Sequence, residues 1–294
     1  MSSFSPNDVA LEGVRLTRER PKAILAWSAY NFAFGLLLLG LAYLTLGPHA
    51  QDILAEVRAG AGANDPAEAE KLIRQTLPFC AVGLPLSLVF MAMQMGAVYR
   101  AVLKPESGAA RFRLGHEEWR LAALIVVAIL IIAGVLFISE LISIVAATAG
   151  ANTFFIALVS LVVTIFLFVR LSLAGPASFA EGRLILIRAW PRTRGNFWAL
   201  LGAYVMALAI LLVVLFLMTL IFAALFGVLD NFASRSTTGW AAVLRSPLVF
   251  LVATAGQAVN AFMSTCCSVI FLAPFAQAYR DLTAPEADPE TMDA

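Results

Sequence analysis

The stretch from Leu121 to Ala147 reads LAALIVVAILIIAGVLFISELISIVAA, and it carries one charged residue, Glu140. A helix rises about 1.5 Å per residue and a bilayer core is about 30 Å thick, so about 20 apolar residues are enough to cross it. A run this long with one acid near its end has no place on the surface of a soluble domain. It predicts a transmembrane helix.

Five further runs of the same kind flank it: Ala23–Leu46, Leu77–Leu103, Thr153–Val169, Phe197–Leu229 and Leu248–Tyr279. The shortest, Thr153–Val169, continues in character past Arg170 through Ala174, and an arginine at a helix end reaches back to the headgroups along its own aliphatic stem. Composition agrees. The chain of 294 residues is 61% hydrophobic and 13% charged, against about 25% charged in an ordinary soluble domain, and its mean hydropathy is +0.87. The expected fold class is all-α: a polytopic membrane protein built as a six-transmembrane-helix bundle, with an interfacial amphipathic helix. The first run exceeds the 7–15 residues of a signal-peptide core, so it is read as a retained helix rather than a cleaved leader.

Basic residues set the expected orientation. Four precede the first run, five surround the loop after the second, five lie between Arg170 and Asn196 and one follows the sixth, fifteen in all, against five on the other side. The positive-inside rule puts the fifteen and both termini in the cytoplasm, and the expected location is the bacterial cytoplasmic (inner) membrane. Trp27, Trp119 and Trp198 stand at the cytoplasmic starts of the first, third and fifth runs, as an interfacial aromatic belt would place them. Three segments result: a cytoplasmic segment 1–22, a transmembrane domain 23–280 and a disordered acidic tail 281–294.

Two connections carry their own pattern. In the external segment 48–76, Asp65-Pro66-Ala67-Glu68 has the spacing of a capped helix start, and Glu70 and Arg74 are placed for an i,i+4 pair. With Gln51–Arg58 before the Gly60/Gly62 break, this predicts two short surface helices. In the cytoplasmic segment 175–195, Phe179, Leu184, Leu186, Ile187 and Trp190 alternate with Glu181 and the basic residues, which suits a helix lying in the interface until Pro191 ends it. Arg170, Arg183, Arg188, Trp190, Arg192 and Arg194 are its candidate lipid contacts. A fainter echo links Tyr99-Arg100 and Pro105-Glu106 with Tyr279-Arg280 and Pro285-Glu286.

Within the spans, the sixth run is distinctive. Gln257, Ala261, Ser264 and Ser268 recur along one helical face beside Asn260, with Gly256 and Ala258 nearby, a pattern that faces other helices rather than lipid. Asn31 on the first run and Gln94 on the second lie at depths compatible with the same region. Asn31, Gln94, Gln257, Asn260 and Ser264 form the candidate intramembrane polar cluster, readable as glue between helices or as a path for a small solute or lipid. Glu140 falls near the outer end of its helix and is read as an outer-interface acid.

Enzyme signatures are sparse. His49 and His116 fall in loops on opposite sides of the membrane, His116-Glu117-Glu118 lacks the second histidine of a zincin motif, and no phosphate-binding glycine loop is present. No catalytic, cofactor or metal site is expected. A net charge of +1 gives no argument for nucleic acid, and Cys80, Cys266 and Cys267 all fall in apolar runs, without a disulfide pattern.

The stretch Arg170-Leu-Ser-Leu-Ala-Gly-Pro-Ala-Ser-Phe-Ala-Glu181, with Ala189-Trp190, Arg194-Gly195 and Phe197-Trp198, resembles the bacterial membrane-domain family sometimes fused to glycerophosphodiester phosphodiesterases. Leu272-Ala-Pro274, Tyr279-Arg280-Asp281-Leu282, Tyr99-Arg100 with Pro105, and Leu114-Gly-His-Glu-Glu118 are similar to other parts of that family. Ala189 stands where a serine is common, and Pro191 where the family continues its helix. These residues hold no phosphodiesterase barrel, so the resemblance implies a fold and a membrane location rather than hydrolase activity. The expected role is a non-enzymatic accessory, assembly or scaffold subunit whose partners are membrane lipids or a partner membrane-protein complex; the alternative is a small-solute or lipid transporter with a polar path along the sixth helix.

Overall fold

A computed structural model of the chain describes residues 5–49, 66–104, 112–150, 152–186, 190–191, 193, 195–235 and 247–283. These residues are helical or irregular, with no strand among them. In chain order the helices are α1 (Pro6–Glu19), α2 (Pro21–Leu46), α3 (Pro66–Leu103), α4 (His116–Thr148), α5 (Phe154–Leu171), α6 (Ala174–Glu181), α7 (Phe197–Arg235) and α8 (Pro247–Thr283). Among the described residues six helical segments are long and apolar enough to cross a membrane: α2, α3, α4, α5 with α6, α7 and α8. The protein is a polytopic integral membrane protein.

Local chemistry explains where the helices start and stop. Ser5 caps α1 by accepting from the Asp8 amide at 3.5 Å, and Pro6 occupies the first turn, where a missing N–H costs nothing. Pro21 then opens α2 after one residue, Arg20. α6 ends because Gly182 takes the left-handed conformation, φ 64°, which a side chain would strain. Among the described residues the positive-φ positions are all glycines, the others being Gly150 and Gly195.

Several spans outrun the bilayer. At 38 residues, α3 is about 57 Å long, nearly twice the hydrocarbon thickness. The surface helix expected at Pro66–Gln75 is therefore not separate. It is the first part of the same helix that forms the second span, and its Glu70–Arg74 pair closes at 2.8 Å. The first of the two expected surface helices, Gln51–Arg58, lies outside the described residues, as do Asp65 and residues 284–294.

The segment 175–195 also differs from its pattern. Its helix is α6, only eight residues long, and Ala174 through Phe179 are buried in protein. Alternation of apolar and basic residues continues beyond Glu181, but Gly182 has already broken the helix. The strongly amphipathic helix outside the spans is instead α1, with Val9, Ala10, Glu12, Gly13 and Leu16 on its buried side. Trp119 and Trp198 are exposed, as belt residues should be, whereas Trp27 is buried.

The chain divides into two compact units. One comprises residues 1–23, 92–217 and 266–294, the other 24–91 and 218–265. In the first, α7 buries Leu200, Ala203, Tyr204 and Ala207, and α8 buries Val269, Ala273 and Ala276. Small residues at such seams let backbones approach, and packing then replaces the hydrophobic effect that lipid cannot supply. α1 packs against α8 here: a β-carbon on Gly13 would lie 2.9 Å from the Val269 carbonyl oxygen. In the second unit, Phe34 of α2 stacks on Phe90 of α3 with ring centroids 4.0 Å apart. Half of the apolar window of α8 is buried, against 6% of that of α7, which matches the polar, small-residue composition of the one and the mostly large, apolar composition of the other.

Candidate functional site

The polar residues of α2 and α8 meet within the second unit. Asn31 donates through Nδ2 to the Thr265 hydroxyl at 2.7 Å, and Thr265 donates onward to the Ala261 carbonyl at 2.8 Å. The hydroxyl is therefore used both ways, in a residue with no exposed surface. One turn along α2, a β-carbon at Gly35 would collide with the Gln257 amide, so the Gln257 side chain reaches across to the glycine. Advancing from Asn31 to Gly35 while retreating from Thr265 to Gln257 makes the two helices antiparallel. Of the candidate cluster, Asn31 and Gln257 thus belong to one helix contact. Asn260 and Ser264 are half-buried on the same helix. Gln94 lies in the first unit, 8% exposed, with its amide nitrogen buried and unpartnered.

A second polar group was not expected from the sequence. Arg100 near the end of α3 and Glu118 in the first turn of α4 form an ion pair, each side chain only 3% exposed. The other Glu118 oxygen accepts from the Gly115 amide at 2.8 Å, so the carboxylate caps its own helix while neutralising the arginine. Glu117 adds a contact to Arg100 at 3.5 Å and to Lys104 at 3.8 Å. Phe179 of α6 faces both cations, 5.8 Å from Arg100 and 5.3 Å from Lys104. Gly96 makes room, since a β-carbon there would stand 2.9 Å from the Glu118 carboxylate. The legible part was the glutamate three residues after Gly115, placed to accept from the N-cap amide; glycine has no side chain to return the bond.

α6 gathers the echoed Tyr-Arg pairs. Tyr99 packs edge-on to Phe179 at 6.0 Å, and its hydroxyl would lie 2.7 Å from a β-carbon at Gly175. Tyr279 donates to Glu181 at 3.4 Å, and Arg280 donates to the Val102 carbonyl at 3.3 Å, satisfying an acceptor at the end of α3.

Arg170 is turned toward protein. Its guanidinium lies 5.2 Å from the Phe166 ring, 5.4 Å from Trp190 and 5.9 Å from Phe197, and Nη1 donates to the Thr193 hydroxyl at 2.6 Å and the Trp190 carbonyl at 3.2 Å. It fastens the chain after α6 to the ends of α5 and α7. Of the other candidate lipid contacts, Arg183 is exposed and Trp190 half-buried, while Arg188, Arg192 and Arg194 lie outside the described residues. Glu140 is exposed on α4, and His49 and His116 are exposed. Among the described residues no three His, Cys, Asp or Glu side chains are grouped to hold a metal, and the three cysteines are free thiols.

One cavity lies among α5, α7 and α8, with a volume of about 230 Å³. Ile165, Phe168, Val169, Leu201, Tyr204, Val205, Ala207, Leu208, Phe271, Pro274 and Phe275 line it. Tyr204 supplies the polar atom, but its hydroxyl is bonded to Ser172 at 2.8 Å. Val205 and Leu208 on its rim are 57% and 48% exposed, so it is an apolar groove open on one side, with walls that match hydrocarbon.

Glu12, on the buried side of α1, is 4% exposed. Burial pushes its carboxyl above the ordinary value of 4.5; Arg15 and Arg280 pull it down, and Glu19 and Asp281 add to the rise.

No family model, curated protein or solved structure matches the chain.

Proposed function

We propose that this chain is a non-enzymatic membrane subunit, accessory to or assembling with a partner membrane complex, that binds lipid through the cavity between α5, α7 and α8. In this reading it resides in the bacterial inner membrane with both termini in the cytoplasm, as the distribution of basic residues favours. The Arg170–Trp198 motif, which resembles the membrane domain fused to glycerophosphodiester phosphodiesterases, supports the membrane location. The observation that carries the reading is the cavity: its lining is hydrocarbon-like and its own polar atom is already paired. A membrane lipid's acyl chain fits such a lining; a polar solute would lose its hydrogen bonds there.

Purification in mild detergent followed by mass spectrometry tests it. The expected result is co-purified phospholipid, reduced when Ala207→Phe fills the cavity from its wall. Recovery of bare protein, or lipid retention indifferent to the substitution, would count against it.

The alternative, a polar path along α8, draws on Gln94, whose buried amide donor lacks a partner. The Asn31–Thr265 bond opposes it, because it spends both side chains on helix packing.

A further inference from the structure

α1 is docked on one side and open on the other. Val9, Gly13 and Leu16 are buried, whereas Leu11 and Val14 are 49% and 39% exposed. At 3.6 residues per turn, Leu11 and Arg18 fall opposite the buried Val9–Gly13–Leu16 side, with Val14 bordering them on one edge and Arg15 on the other. Asp8, Arg15 and Glu19 lie to one flank. Arg15 is shared between Glu12 at 3.0 Å and Glu19 at 3.5 Å. Arg18 and Lys22 are exposed and Arg20 is half-buried, which leaves three cations at the junction of α1 with α2 beyond that local network.

Position follows from the covalent chain. Only Arg20 separates the end of α1 from Pro21 at the start of a membrane span. Successive Cα atoms are about 3.8 Å apart, so the C-terminal end of α1, with Arg18 and Arg20, is held beside the start of the span α2. A helix kept there, with an apolar outward face beside a basic cluster, meets both terms that hold amphipathic helices on membranes: apolar burial and attraction to negative headgroups. The tether keeps lipid at high effective concentration, whereas a soluble acidic partner would have to be recruited.

We propose that the Leu11–Val14–Arg18 face of α1, with Arg20 and Lys22, binds the headgroup layer of anionic phospholipid. This rests on the lipid-binding reading above and names a lipid class and a second place of contact.

The test uses the full chain in bilayers of phosphatidylcholine alone and of phosphatidylcholine with phosphatidylglycerol, and follows backbone hydrogen exchange of residues 6–19. The expected result is exchange at least roughly fivefold slower with phosphatidylglycerol, an effect removed by the combined substitution R18Q/R20Q/K22Q while α4 and α5 exchange as before. Equal exchange in the two bilayers, or a slowing that survives the substitutions, would overturn the inference. Slowing seen only on adding a second protein would also overturn it, in favour of a protein partner. Lipid retained in the cavity with no phosphatidylglycerol effect on α1 would defeat this inference and leave the proposed function standing.

Discussion

Glu118 shows how much one side chain settles in this protein. It caps α4, neutralises Arg100 and sits against Gly96 in a place with almost no exposure. A buried pair is costly to assemble and costlier to break, because removing one partner strands the other charge. Glu117 stays 3.5 Å from Arg100, so Glu118→Ala is expected to destabilise the protein by about 3 kcal/mol, the low end for a broken buried pair, visible as a lowered melting temperature in detergent. Replacing both residues, R100M with E118L, should recover most of that loss. The Asn31–Thr265 bond is smaller in scale: Asn31→Leu should cost about 0.6–1.7 kcal/mol, the range for hydrogen bonds between membrane helices. The sequence pointed to Asn31 and to Gln257 on the facing helix, but not to Thr265, the residue that Asn31 bonds. Gln257 and Ala261 were read on to Ser264, at i+7, whereas the contacting face continues to Thr265, at i+8; both positions fit a 3.6-residue period, and only the partner helix decides between them.

At the scale of elements, α1 carries the clearest lesson. Its apolar residues are few and its charges many, so against six long apolar runs it read as a basic flank. What makes it an element is a glycine: Gly13 lets α1 reach the backbone of α8 near Val269 and Ile270. Gly13→Ala would press a methyl group onto main-chain atoms that have no rotamer to yield, costing about 1–3 kcal/mol and speeding hydrogen exchange across residues 6–19. Glu12 adds a pH dependence to the same contact. Its carboxyl is raised in the docked state, so protonation favours docking; the contribution is complete below the ordinary value of 4.5 and is lost as pH rises through the raised value. Exchange of α1 should therefore accelerate as pH rises through that window after correction for intrinsic rates, and Glu12→Gln should weaken the dependence, leaving the part due to Asp281, whose carboxyl burial also raises. α6 teaches the converse. Its flanking sequence has the right alternation for an interfacial helix, but Gly182 stops it at eight residues, and a break by a single backbone conformation leaves only a faint mark in hydropathy.

At the scale of the molecule, the six spans were legible because the bilayer imposes a length on every one of them. Hydropathy reports that length directly. The contrast between α7 and α8 was legible for the same reason, since a helix that faces lipid has no use for glutamine, asparagine or serine. What hydropathy does not encode is pairing: which polar group on one helix meets which on another, where a cavity is left, and that α3 runs on unbroken from the surface into the span. The account that results treats the intramembrane polar residues as fastenings and assigns binding to the apolar cavity and the α1 surface.

Thiol accessibility tests that account most directly. Cysteines placed one at a time at Gln257, Asn260 and Ser264, in a background with Cys80, Cys266 and Cys267 replaced by alanine, are offered a membrane-impermeant, water-soluble maleimide in proteoliposomes, with His49→Cys as the exposed control. The account predicts that the control reacts and the three α8 positions stay protected in opened and sealed vesicles alike. Ready labelling along the α8 positions would contradict it and mark a water-filled path.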